Sequence, residues 1–336
     1  MNIAVLGSGS WGTALAVSLG RKGYPVRLWG LPEEAAALER DRENVRYLPG
    51  ARLPDCVEPT ADIDAALDER AMVVLAIPST GVRQVAEVVR GKLTPAVLLV
   101  NAGKGLESDT GLRGSQVIRE VLGDEIGERC VVLSGPNLAV ELAGGVPTAT
   151  VVACADMDRA ATVQDVFSST SLRVYRNPDV AGVELGGALK NVLAIGAGIS
   201  DGLGYGDNTK ATLVTRGLIE MTRLGVALGA EPRTFSGLSG FGDLVATCAS
   251  RLSRNLRLGL MIGQGKTLTE SLAALGQVAE GMHTCEAAYG LSRRLGIDMP
   301  ITQQIHAMLF EAKPPKQAVL DLMTRDHKDE FYGSTE

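Results

Sequence analysis

From its amino terminus the chain alternates short apolar runs with stretches of helical spacing. Residues 3–6, 26–29, 72–77, 96–100 and 130–133 are β-rich and almost continuously apolar, as strands covered on both faces are. Between them, residues 14–21, 33–40, 82–89 and 114–121 carry apolar positions at helical intervals. A further strand, helix and strand are predicted over 149–153, 157–167 and 173–175. This alternation predicts βαβ units around a parallel sheet. After Asn177-Pro178 the strand-like runs stop. Helices are predicted over 180–199, 209–228, 255–262, 286–295 and 302–310, and Thr267-x-x-Glu270 fits a capping box that opens one more. The expected organisation is an α/β parallel-sheet domain over 1–178, an all-α domain over 179–325 and a loose polar tail over 326–336.

Composition narrows the function classes. The length of 336 residues suits about two domains. With 33 basic and 39 acidic side chains, the net charge is −6. A basic face for nucleic acid is therefore not expected. The hydrophobic fraction of 45% argues against disorder. The uncharged run 142–155 is broken by Gly144, Gly145 and Pro147 and falls short of the roughly 18 apolar residues of a membrane span. No basic segment precedes the first strand, so a cytoplasmic chain without a secretory signal is expected. Cysteines stand at 56, 130, 154, 248 and 285 with no C-x-x-C, which reads as reduced thiols. Histidines stand only at 283, 306 and 327. A His-rich metal centre is not expected, and a catalytic histidine in the first 282 residues is excluded.

The first candidate for chemistry is Gly7-Ser8-Gly9-Ser10-Trp11-Gly12, a G-x-G-x-x-G that follows a predicted strand and opens a predicted helix. In that setting Gly7 permits the tight turn, Gly9 lets the backbone approach a pyrophosphate, and Gly12 allows close helix–strand packing. The helix N-terminus then offers unpaired N–H groups to phosphate. The first domain therefore reads as a Rossmann-type dinucleotide-binding domain. The alternative is a tight βα turn without a ligand. NAD sites carry an acid after the second strand and NADP sites often an arginine. Here that strand runs into Leu28-Trp29-Gly30-Leu31-Pro32. Glu33 and Glu34 come late and suit a helix start. NAD versus NADP stays open.

The second candidate is Lys190, the only charge between Leu185 and Ser200. Lysine is almost never fully buried without a reason. A desolvated lysine loses its preference for the ammonium form and can act as a general base. The competing reading is a snorkelling lysine on a half-exposed helix. Asn191 beside it can orient a substrate hydroxyl or cap backbone. Asp243 and Thr247, four apart, share a helix face. Asp243 is either an N-cap or a carboxylate partner of Lys190. Ser253-Arg254-Asn255 stands at a helix start, where Arg254 can hold a phosphate bidentately. Lys104 follows the strand 96–100, at the carboxyl end where open α/β sheets bind ligands. Ser134-Gly135-Pro136-Asn137 ends the strand 130–133 in the same way.

Eight stretches in this order closely resemble the bacterial NAD(P)-dependent glycerol-3-phosphate dehydrogenases: GSGSWGTALA (7–16), RYLP (46–49), KGLE (104–107), SGPNLAVELAGGVPTAT (134–150), RVYRNPDVAGVELGGALKNVLAIGAGISDG (173–202), GFGDLVATC (240–248), SRN (253–255) and VAEG (278–281). The resemblance implies interconversion of sn-glycerol 3-phosphate and dihydroxyacetone phosphate with NAD or NADP, feeding phospholipid synthesis, by a homodimer. It implies Lys190 as proton acceptor and donor. Cofactor contacts would come from Ser10, Trp11, Lys104, Ala139, Arg254, Val278 and Glu280. Substrate contacts would come from Lys104, Gly135, Asn137, Lys190, Asp243, Ser253, Arg254 and Asn255. Two positions depart from the family pattern. Asn137 stands where Ser or Thr is frequent, and no basic residue stands near Leu31, so a strong NADP preference is not implied. Two readings compete with this one: a related dehydrogenase of another phosphorylated hydroxy substrate, and a non-catalytic NAD(H)-binding sensor, which leaves Lys190 unexplained.

Overall fold

The computed structural model describes residues 1–330. Residues 331–336, most of the expected tail, lie outside the described residues. Over 326–330 no helix or strand forms. Lys328 Nζ nevertheless bonds Asp298 Oδ2 at 3.1 Å, and Arg216 donates to the Glu330 carbonyl at 2.6 Å. The chain divides into two compact units, 1–104 with 113–183, and 105–112 with the chain from 184. The sequence boundary stands at 178, and the loop 105–112 leaves the first unit.

The first unit is built on ten strands: β1 (Ile3–Leu6), β2 (Val26–Trp29), β3 (Glu43–Asn44), β4 (Leu48–Arg52), β5 (Val57–Thr60), β6 (Met72–Leu75), β7 (Leu98–Asn101), β8 (Val131–Ser134), β9 (Thr148–Ala153) and β10 (Leu172–Asn177). Eight form one sheet in the order β10-β9-β8-β7-β6-β1-β2-β5, and β3 and β4 form a separate antiparallel ribbon. Every pairing in the large sheet is parallel except β8 with β9. The expectation of a parallel sheet is corrected at that one pair. Between β8 and β9 lies only the five-residue helix Ala139–Ala143, too little for the usual helical crossover, so the chain turns back alongside β8. The sequence also missed β5, whose Pro59 suits the edge position it occupies. The central strands are buried on both faces, with Ile3, Val5, Met72, Val74 and Val100 fully buried. They pack on Leu15 and Leu19 of the helix Ser10–Arg21 in one apolar core.

The second unit centres on the helix Val180–Gly202, which enters it at 184. Every residue from 182 to 200 is buried. A helix with no solvated face belongs in a core. It is long and apolar enough to cross a membrane, yet 89% of its apolar window is buried inside the protein. The helices Asp207–Ala227, Asp243–Ala249, Arg254–Gly263, Leu268–Leu275, Glu280–Leu295, Pro300–Phe310 and Pro315–Met323 complete the unit. Backbones nearly touch along one seam. A Cβ at Gly198 would fall 2.0 Å from the Leu256 carbonyl oxygen, and one at Gly259 2.0 Å from that of Ile195. The capping box closes as expected: Thr267 Oγ1 accepts from the Glu270 amide, and Glu270 Oε2 accepts from the Thr267 amide.

Candidate active site

In the first unit the loop between β1 and the helix Ser10–Arg21 has the shape its glycines require. Gly7 has φ +118°, and a Cβ there would lie 2.5 Å from the Ala76 carbonyl oxygen. A Cβ on Gly12 would lie 1.9 Å from the Gly7 carbonyl oxygen. Around Gly9 nothing among the described residues lies within 4 Å of an added Cβ. Gly9 is also the helix N-cap and has no side-chain capping bond. The first-turn amides, Ser10 and Trp11 among them, therefore have no side-chain cap at a positive helix end. These observations fit a bound pyrophosphate.

Four predicted residues, Trp11, Lys104, Gly135 and Asn137, stand beyond the carboxyl ends of β1, β7 and β8. Trp11 Nε1 donates to the Ala102 carbonyl at 3.0 Å. Lys104 Nζ lies 5.9 Å from the Trp11 indole centroid and donates to the Gly135 carbonyl at 2.7 Å. Asn137 Nδ2 donates to the Ala149 carbonyl at 3.0 Å. Its buried Oδ1 has no partner among the described residues, which leaves an acceptor for a ligand hydroxyl or amide. Ala139 begins the short helix after this loop.

In the second unit Lys190 is 6% exposed on a helix with no open face. The snorkelling alternative is thereby excluded. Its Nζ donates to Asp243 Oδ1 at 2.6 Å and to Thr247 Oγ1 at 2.7 Å. Thr247 Oγ1 in turn donates to the Asp243 carbonyl at 2.6 Å. The N-cap of this helix is Gly242, so the Asp243 side chain is turned to the lysine and is not the cap. A charge pair this deep persists only with well-placed partners, because desolvation of both ions opposes it. Cys248, the next residue, is pushed up to about 12 by burial, partly offset by Lys190. It is a closed thiol and no nucleophile.

Ser253 caps the helix Arg254–Gly263, its Oγ accepting from the Leu256 amide at 3.2 Å. Arg254, half-buried in the first turn, has no hydrogen-bonding or ionic partner among the described residues. Asn255 is committed within the protein. Its Nδ2 donates to Asn191 Oδ1 at 2.9 Å, and its Oδ1 accepts from the Gly281 amide at 3.0 Å. That pair of bonds ties three helices around Lys190. Val278 is exposed just before Glu280, which opens the helix Glu280–Leu295.

Sequence reasoning missed Asn44. It is 5% exposed and donates from Nδ2 to the Ser8 carbonyl and to Thr13 Oγ1, both at 2.7 Å. The Tyr47 amide donates back to its Oδ1 at 3.1 Å. An asparagine three residues before a tyrosine in a turn was the signal, and it is a faint one.

A parallel-dominated sheet with a glycine loop at β1, joined to a helical unit around a buried lysine, defines the class of two-unit Rossmann-type dehydrogenases. Residues 2–160 match the N-terminal part of the NAD-dependent glycerol-3-phosphate dehydrogenases, and residues 179–320 match the C-terminal part. Glycerol-3-phosphate dehydrogenase [NAD(P)+] of Chlorobium phaeobacteroides is 51% identical over 332 residues, covering 98% of this chain and 99% of the relative. The protein of the same name from Geobacillus kaustophilus is also 51% identical, over 98% of this chain and 96% of its own. The crystal structure of the Coxiella burnetii glycerol-3-phosphate dehydrogenase superposes with a TM-score of 0.92 at 38% identity, covering 96% of this chain and 99% of that one. A ketopantoate reductase from Ralstonia eutropha, at 17% identity and a TM-score of 0.60, shares the fold alone. The chain belongs to the NAD-dependent glycerol-3-phosphate dehydrogenase family.

Proposed function

We propose that this protein interconverts sn-glycerol 3-phosphate and dihydroxyacetone phosphate with NAD(H) or NADP(H). The observation that carries the reading is the buried Lys190 bonded to both Asp243 and Thr247, in a chain of this family. The first unit serves as the dinucleotide-binding domain and the second supplies the substrate-side residues. A bound nicotinamide supplies the hydride acceptor or donor. The amides at the start of the helix Ser10–Arg21 bind the pyrophosphate. In its neutral amine form, Lys190 takes the C2 hydroxyl proton as hydride leaves C2 when glycerol 3-phosphate is oxidised. In reduction its ammonium polarises the ketone oxygen and then protonates it. Asp243 and Thr247 fix the Lys190 nitrogen so that its proton is delivered along one direction. Arg254 grips the substrate phosphate, helped by the N-terminus capped by Ser253, and Asn191 and Asn255 hold the helices that carry these groups. On family membership we assign Lys104, Gly135 and Asn137 to substrate binding and Ala139, Val278 and Glu280 to cofactor binding. A cytoplasmic homodimer feeding phospholipid synthesis is the setting this reading implies, and it rests on family membership alone. A sensor without catalysis has no use for an acid–base pair of this kind.

The test is nicotinamide absorbance change with dihydroxyacetone phosphate, run beside unphosphorylated dihydroxyacetone. Turnover confined to the phosphorylated ketone is expected. Turnover with neither ketone, by protein that still binds dinucleotide, would remove the activity. Equal turnover with both would remove the phosphate clamp.

A further inference from the structure

We propose that Glu34 makes the nucleotide site select NAD(H) over NADP(H). The inference rests on the dinucleotide-binding reading and adds to it the residue that sets cofactor choice.

In a nucleotide-binding βαβ unit, an acid at the end of the second strand bonds the ribose hydroxyls, and an arginine there accommodates a 2′-phosphate. Here β2 ends at Trp29, position 30 is glycine, and Leu31 is exposed. Neither recognition group stands at the strand end. The structure fills the place from another element. An ideal Cβ on Gly30 falls 3.4 Å from Glu34 Oε2 and 2.1 Å from Ser8 Oγ. The Glu34 carboxylate thus reaches back from the first turn of the helix Pro32–Asp41 to the edge of position 30, beside the Ser8 hydroxyl that occupies the space a side chain there would need. A side chain at 30 would collide first with Ser8, whose Oγ holds this carboxylate, so Gly30, Ser8 and Glu34 form one device.

The carboxylate is held from two sides. Ser8 Oγ, from within the glycine loop, donates to Oε2. The Tyr47 hydroxyl donates to Oε1 at 3.2 Å. Burial first, and then the Glu34 charge, push the Tyr47 phenol up, so it stays a donor. With one donor on each oxygen, lone pairs remain for ribose hydroxyls. A 2′-phosphate would instead bring a second anion against a fixed one, and such like-charge contact discriminates strongly. Glu33 stands in the same helical turn but is exposed. It can serve the helix dipole, whereas the half-buried Glu34 is tied to the loop. The Arg46 guanidinium lies over the Tyr47 ring, 4.9 Å from its centroid. With Glu34 neutralised, that cation is left to attract a phosphate.

The experiment is equilibrium titration of the whole protein with ADP-ribose and with 2′-phospho-ADP-ribose, which probe the ribose end without any turnover. The native protein should bind ADP-ribose at least about tenfold tighter. Glu34→Gln should narrow the gap by tightening the phosphorylated ligand. Equal or reversed affinities in the native protein overturn the proposal, whether or not the variant folds. An unchanged gap in a folded Glu34→Gln overturns it too. Failure of the native protein to bind either ligand removes the dinucleotide reading and this inference with it, so the two failures are told apart.

Discussion

The glycine loop of the first unit and the lysine centre of the second are built on opposite plans. The loop is local, made by six consecutive residues, and it ends in space: nothing among the described residues lies within 4 Å of a Cβ on Gly9. The lysine centre joins residues 53 and 57 positions apart in sequence, and it is closed, with Lys190 and Asp243 at 6% and 2% exposure. One site leaves its polar groups unmatched for a ligand to complete. The other matches them internally and fixes a proton in place before any ligand arrives. Binding and catalysis therefore place different demands on the same chain. The loop needs absence of side chain, and the centre needs a charge where apolar packing would be easier.

Removing that charge should have the largest effect. Lys190→Ala is expected to lower turnover about 10²–10⁴-fold and to leave nucleotide binding unchanged, since the loop lies in the other unit. It should also destabilise by about 3–5 kcal/mol, because Asp243 is left buried without its cation. Steady-state kinetics, a nucleotide titration and urea unfolding of the same variant separate these effects. A folded variant with undiminished turnover would break the comparison at its root.

Glu220 sharpens the contrast from inside the helical unit. Its carboxylate accepts from the Ile301 and Thr302 amides at 2.6 and 3.0 Å and from Thr302 Oγ1 at 3.0 Å. Neutral donors serve it where Lys190 has an anion. Burial raises it from 4.5 to about 7, against the pull of those bonds. The folded state therefore holds this proton more tightly than the unfolded chain does. The stabilisation from it is complete below pH 4.5 and is lost as pH rises through about 7. Up to about 3 kcal/mol is at stake. Glu220→Gln should lack this component, so its stability relative to the native protein should improve between pH 4.5 and 8. Urea unfolding of both proteins across that range checks it, and parallel pH curves would contradict it.

A smaller effect divides the loop itself. Gly12→Ala drives a methyl into the Gly7 carbonyl, 1.9 Å away, and should cost about 1–3 kcal/mol of stability. Gly9→Ala points into open space and should leave the melting temperature in place while weakening dinucleotide binding. Calorimetry and a nucleotide titration distinguish them. A Gly9→Ala protein that binds normally would show that the open space is not the pyrophosphate's.

What the sequence made legible follows from the same contrast. The strands β1, β2, β6 and β8 and the glycine loop are local patterns, and local patterns survive in one dimension. Lys190 was legible as an anomaly, a lone charge in an apolar stretch, although its partners could only be suggested from helical spacing. Asn44, Ser8 and Glu34 left little trace, because each is ordinary alone and gains meaning only when the ribbon β3–β4, the loop and a helix start converge. The antiparallel return of β9 was hidden for a related reason. Its residues read the same in either direction, and only the shortness of the connecting helix decides.

The buried helix Val180–Gly202 also has a history to survive before it is buried. It leaves the ribosome ahead of the helix Arg254–Gly263 that packs on it, and for that interval it is a nascent segment with the hydropathy of a membrane anchor. A lysine at the centre of such a segment opposes insertion into a bilayer by about 2.5–3.5 kcal/mol. Lys190 stands at that centre, so the side chain assigned to move a proton in the finished enzyme is also the one that would cost most if this helix were placed in a bilayer.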